Sequence, residues 1–110
     1  ISIAKKVMQE RLFFITDAVT ETSEGFYPHK LVGDKYESNG ILSGSALTMA
    51  KCVRNAVEEC GIELSEALRM ASLYPAQVMK LDKQLGRIAP GYKAAFVQMK
   101  DSLQILQTID

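Results

Sequence analysis

Asp17 is the side chain in this sequence best placed to do chemistry. It follows Arg11-Leu12-Phe13-Phe14-Ile15-Thr16, whose aromatic and β-branched content predicts a strand. Barrels and doubly wound sheets present side chains to their ligands at the ends of such strands. A carboxylate there can bind a metal-activated water, accept its proton and pass that proton to a leaving group. Position alone leaves a plainer role open, that of an aspartate capping a turn. A second candidate is Gly40-Ile41-Leu42-Ser43-Gly44-Ser45, which reads as the approach to a helix N-terminus. Free amides and small residues there admit an anion or a polar substrate, although many Ser-Gly-Ser helix starts only cap.

Metal ligands are scarce. His29 is the single histidine, it lies between Pro28 and Lys30 in a polar loop that reads as solvated, and the sequence contains no Cys-x-x-Cys or His-x-x-x-His spacing. Cys52 and Cys60 fall on one predicted helix, where eight residues at ~1.5 Å each separate them too far for a disulfide. They read as buried reduced thiols. Tyr74 and the methionines at 49, 70, 79 and 99 read as packing, and Lys5-Lys6 as a solvated helix face.

The elements that must position these residues follow from periodicity and turn chemistry. Residues 1–10 suit the end of an amphipathic helix, residues 11–16 a strand covered on both faces, and residues 18–25 a loop. Three turn signals, Tyr27-Pro28, Val32-Gly33-Asp34 and Ser38-Asn39-Gly40, suggest a loose hairpin over 26–41. Helical spacing of Ala46, Met49, Ala50, Val53, Val57 and Cys60 predicts a helix over 46–60, capped by serine and stopped by Gly61. A second helix is expected from Ser65, with Tyr74-Pro75 opening a third that runs to Leu81. From Gly86 the pattern turns to strands at 87–88, 94–99 and 103–106.

The 110 residues carry 13 basic and 13 acidic side chains, with 47% hydrophobic content. That is the composition of a globular chain with material for a core, without the basic field that nucleic-acid binding demands. The longest apolar runs, Leu12–Ile15 and Ala94–Val97, are four residues each. A membrane helix takes roughly 20. No secretory signal is expected from Ile1-Ser2-Ile3-Ala4-Lys5-Lys6. One buried strand without a parallel partner, followed by helices and terminal strands, is not a self-contained plan, and the chain reads as part of something larger.

Phe14-Ile15-Thr16-Asp17-Ala18, Asn39-Gly40 and Leu42-Ser43-Gly44-Ser45-Ala46-Leu47-Thr48-Met49 resemble the N-acetylglucosamine-6-phosphate deacetylases of the amidohydrolase superfamily. Val53-Arg54-Asn55, Leu68 through Ala76, and Leu85-Gly86-Arg87-Ile88 carry the same resemblance, which runs from about residue 11 onward. It implies an α/β fold: the C-terminal part of a metal-dependent (β/α)8 (TIM) barrel over 1–85 and strands of a flanking β-sandwich over 86–110. Asp17 then matches the catalytic aspartate at the end of the eighth barrel strand. Leu42, Ser43 and Gly44 match the substrate-binding segment. The divalent metal, zinc or iron, is held in that family by Glu and His residues that have no counterpart in this chain. His29 matches none of them. By this resemblance the chain alone is expected neither to hold zinc nor to turn over. The implied substrate is a small amino-sugar phosphate and the implied compartment the cytoplasm; a homodimer is compatible, and neither nucleic acid nor membrane is a partner. Two alternatives stay open from the sequence: another amidohydrolase, such as an N-acyl amino-acid deacylase or a cyclic amidase, or a non-catalytic helical interaction fragment.

Overall fold

Three short helices form the centre of the molecule, and local rules set where each one stops. The computed structural model describes residues 1–26 and 28–109. After the N-terminal helix α1, Ser2–Met8, comes a single 3-10 turn, Gln9–Arg11. Helix α2 spans Met49–Glu58 and begins after Thr48, whose side chain accepts a 3.2 Å hydrogen bond from the Lys51 amide. Thr48 therefore replaces the expected serine cap. Past the helix end Gly61 adopts a φ of +64°, and the Ile62 amide donates to the Ala56 carbonyl at 3.0 Å. This left-handed closure is what glycine supplies at a C-terminus.

Helix α3, Leu64–Ala71, is capped by Glu63, which accepts from the Ser65 amide at 3.2 Å. It stops at Ala71 for a steric reason: in a continuous helix the Pro75 ring would meet the carbonyl four residues earlier. Ser72 breaks the path with φ −134° and ψ −67°, and Pro75 then sits in the first turn of α4, Leu73–Val78. Helix α4 ends three residues before the expected Leu81.

These helices bury Val53, Ala56, Ala67, Met70, Leu73 and Tyr74 around Met70, joined by Ile62 and Leu103. Leu12, Phe13 and Phe14 lie partly buried against this cluster. The expected strand over 11–16 does not form among the described residues. Arg11 closes the 3-10 turn and Leu12 is extended, but a strand needs a neighbour along its edge, and beyond the local Leu12 amide to Gln9 carbonyl bond this segment bonds through the Phe14 amide to the Met70 carbonyl at 3.1 Å. Cys52 is buried on α2 and Cys60 lies just beyond it; both are free thiols, and burial pushes Cys52 above the usual thiol range.

The expected loose hairpin is a three-stranded antiparallel sheet: β1, Lys30–Val32, β2, Lys35–Ser38, and β3, Ile41–Ser45, in that order. Asn39 and Gly40, at φ 52° and 77°, make the tight turn between β2 and β3. The Tyr27 half of the expected Tyr27-Pro28 turn lies outside the described residues. Ser43-Gly44-Ser45 is therefore the end of a strand and not the start of a helix, because its main chain pairs with Lys35 and Tyr36 before Thr48 caps α2. The C-terminal strands are β4, Phe96–Met99, and β5, Ile105–Ile109, an antiparallel pair. Arg87 lies in a bend and Ile88 is exposed, and among the described residues neither joins a strand.

Further contacts tie the outer segments to the helices. Gly86, at φ +87°, lies where a Cβ would fall 2.8 Å from the Leu73 Cα and 3.3 Å from the Ser72 carbonyl oxygen. It brings the 82–93 segment against the α3–α4 break, and within that segment Tyr92 Oη donates to the Asp82 carbonyl at 2.8 Å. On the other side, Glu66 accepts hydrogen bonds from Lys5 Nζ, Arg69 Nε (2.7 Å) and Tyr74 Oη (2.9 Å), tying α1 to α3 and α4. Lys5 Nζ also stands 5.4 Å from the Tyr74 ring centre. Lys5 is thus half-buried and paired, not part of a solvated face.

Despite that core, the radius of gyration is 16.1 Å. A self-contained domain of this length averages about 13 Å. Ile1, Ile3, Val7, Ile15, Ile41, Leu42 and Ile88 remain exposed.

Burial works against ionisation of Glu66, but the bonds from Lys5, Arg69 and Tyr74 outweigh it and hold its carboxyl down at about 2. A depressed folded value adds stability that is complete above the unfolded value of about 4.3 and is lost as pH falls toward 2. Thermal unfolding followed from pH 6 to pH 2 should therefore show a loss on the order of 2 kcal/mol that Glu66→Gln abolishes. That variant should also be the less stable protein at neutral pH. Gly86→Ala meets backbone and a positive φ together, and should lower stability by about 1–3 kcal/mol in denaturant titrations.

Candidate active site

The main chain of Ser45 assembles the site. The Ser45 amide donates to the Asp17 carbonyl at 2.9 Å, and the Val19 amide donates to the Ser45 carbonyl at 3.2 Å. Ala18 and Ser45 thereby form a parallel bridge. Two stretches 27 residues apart in sequence are locked side by side by this pair. Asp17 sits at φ 50°, a left-handed conformation that a short polar side chain tolerates better than most. The turn at Asp17 carries the chain from the core, where Phe14 is anchored, to the edge of β3. Asp17 is exposed, so its carboxylate is open to a reactant.

The Leu42, Ser43 and Gly44 positions have distinct surroundings. Leu42 is exposed, leaving an apolar side chain free beside the site. Gly44 is buried, and a Cβ there would stand 2.6 Å and 2.8 Å from the two methyl groups of Val19. Its lack of a side chain is what lets the 17–19 segment approach β3. Ser43 occupies a β-bulge: Tyr36 pairs with Gly44 and Glu37 with Leu42, which leaves Ser43 without a cross-strand partner. Its Oγ lies 2.9 Å from His29 Nδ1.

His29 is therefore half-buried and engaged, not a solvated loop residue. Main-chain bonds to Thr22 in both directions, 3.0 and 3.1 Å, hold it in place. Sequence reasoning missed it because the partners are 14 residues apart and meet only once β1 to β3 pair. Ser45 Oγ accepts from the Leu47 amide at 2.7 Å and so turns the chain toward the Thr48 cap.

Beside His29 lies a polar hollow lined by Glu21, Thr22, Lys30, Glu37 and Asn39. A separate apolar groove of about 400 Å³, between α2, α3 and the β4–β5 pair, contains none of the candidate residues. Among the described residues, no group of three or more His, Cys, Asp and Glu side chains converges as a metal site. No helix among them is long and apolar enough to cross a membrane. What the arrangement can do by itself is hold a polar ligand along β3 and offer it one carboxylate.

Comparison with known proteins places the chain in a family. Residues 3–109 match the amidohydrolase family profile. The chain is 30% identical over 119 residues to N-acetylglucosamine-6-phosphate deacetylase of Haemophilus influenzae, covering 99% of this chain and 31% of that protein. It is 34% identical over 107 residues to a putative N-acetylgalactosamine-6-phosphate deacetylase of Escherichia coli K12, covering 90% of this chain and 64% of that one. The crystal structure of N-acetylglucosamine-6-phosphate deacetylase from Pasteurella multocida superposes with a TM-score of 0.89 at 33% identity, over 98% of this chain and 31% of its own. The chain thus spans about a third of the length of the first of these relatives. With the matched profile running through both the Asp17 turn and β3, the chain belongs to the amidohydrolase family.

Proposed function

We propose that the protein carrying this chain is a deacetylase that hydrolyses N-acetylglucosamine 6-phosphate to glucosamine 6-phosphate and acetate. The observation that carries this reading is the Ser45 bracket, which sets the Asp17 turn against the Gly44–Ser45 end of β3, the strand that also carries Leu42 and Ser43. The deacetylase names of the relatives support it. On this reading residues 1–85 are the last strand and helices of a (β/α)8 barrel, and residues 86–110 are strands of a flanking β-sandwich. Size supports this: a complete barrel takes about 250 residues. That residues 12–16 form no strand among the described residues, and that Ile15 and Ile41 are exposed, also fit a surface covered by the rest of such a fold.

Hydrolysis of an amide requires that a proton leave the attacking water and that another reach the departing nitrogen. One carboxylate can perform both transfers in turn, and Asp17 has the exposure and the fixed main chain to do so. Leu42 and Ser43 offer the sugar an apolar contact and a hydroxyl. Amidohydrolases are generally divalent-metal enzymes. The described residues do not assemble a metal site, so the zinc or iron of this reading is held by residues outside these 110, and the share of this chain is substrate contact and proton transfer. A cytoplasmic enzyme, with a homodimer compatible, completes the proposal.

Acetate release by the complete protein from N-acetylglucosamine 6-phosphate and from its galactosamine epimer tests the reading directly, and failure with both refutes it. Asp17→Asn should lower kcat by about a hundredfold or more while leaving the unfolding midpoint unchanged, because asparagine tolerates positive φ equally well. Near-normal turnover would remove Asp17 from the mechanism. Gly44→Ala forces the stiff Val19 side chain aside. It should cost about 1–3 kcal/mol of stability and reduce kcat/KM together with it.

A further inference from the structure

We propose that His29 is a positioning residue that sets the hydrogen-bonding role of the Ser43 hydroxyl toward an oxygen of the bound sugar phosphate. This rests on the functional reading above. Two independent features meet at Ser43. The bulge leaves it out of register with β2, the kind of local departure that re-aims a side chain. The imidazole of His29, fixed by its main-chain bonds to Thr22, then places Nδ1 at 2.9 Å from Oγ.

A serine hydroxyl has one proton to donate and two lone pairs. If Nδ1 accepts that proton, Ser43 can only accept from a ligand. If Nδ1–H donates instead, the hydroxyl proton stays free. An amino-sugar phosphate is rich in acceptor oxygens at its phosphate, ring and acyl group, so the productive state is the one in which Nδ1–H donates to Ser43. His29 would thereby select a ligand that accepts at this point while touching no reacting atom. Nothing in this role asks His29 to bind metal.

The test uses the complete protein with N-acetylglucosamine 6-phosphate, or the epimer if that is the better substrate. His29→Leu should raise KM about five- to tenfold, the worth of one hydrogen bond, and leave kcat within about twofold. His29→Asn, whose side-chain amide can take the place of Nδ1–H, should recover most of that loss. In a Ser43→Ala background His29→Leu should add nothing further, the signature of two residues acting through one bond. Selective ¹⁵N-histidine spectra should show Nδ1 carrying the proton at neutral pH, a preference weakened in Ser43→Ala. Full additivity of the two substitutions, an unchanged KM in His29→Leu, equal failure of Leu and Asn, or a proton on Nε2 alone would each overturn the proposal. Absence of turnover by the unsubstituted protein on both epimers would instead overturn the functional reading, and the spectra would still decide the state of the His29–Ser43 bond.

Discussion

The pair of main-chain hydrogen bonds on Ser45 is the constraint on which the rest of the site depends. It joins a segment leaving the core to a strand that also pairs with β2, so Asp17, Val19 and Gly44 come to one place. The same residue starts the path to α2: its side chain accepts from the Leu47 amide, and Ala46 donates to the Asp34 carbonyl at 3.2 Å. Each such bond is worth only about 1 kcal/mol net. Their effect is geometric: they choose one alignment of two extended segments, and the bare Cα of Gly44 permits it.

That edge is attached to the core by few interactions. Met70 is fully buried at the centre, its carbonyl receives the Phe14 amide, and three residues later the chain reaches Asp17. The core holds its own position more firmly, through apolar burial around Met70 and through Glu66, which receives donors from α1, α3 and α4. Ionisation is kept at Glu66 because three donors replace the water it loses. Asp17, in contrast, stands exposed, and its main chain is what the fold engages, through the Ser45 amide.

Exposure marks the apolar side chains that the described residues leave uncovered. Ile15, Ile41 and Leu42 are among them. Residues 12–16 carry strand-forming side chains but form no strand among the described residues. The chain spans about a third of the length of the first relative.

Much of this was legible in the sequence where chemistry is local. Helical spacing of Met49, Val53 and Val57 marked α2, Asn39-Gly40 marked a hairpin turn, Pro75 marked the break between α3 and α4, and the residues around Asp17 and Leu42–Met49 carried the family likeness. Local rules failed where a partner distant in the chain decided the outcome. Residues 11–16 have strand-forming side chains, yet strand structure requires a neighbour that composition cannot provide. Ser43-Gly44-Ser45 has the chemistry of a helix cap, but pairing with Lys35 and Tyr36 drew it into β3 and passed the cap to Thr48. His29 and Lys5 read as solvated because nothing near them in sequence engages them; their partners, Ser43 and Glu66, arrive by folding. The sequence by itself determined which residues could form helices, turns and a reactive carboxylate, since those preferences act over a few bonds. Only the tertiary structure decided which of them meet, since hydrogen bonds and packing act between neighbours in space.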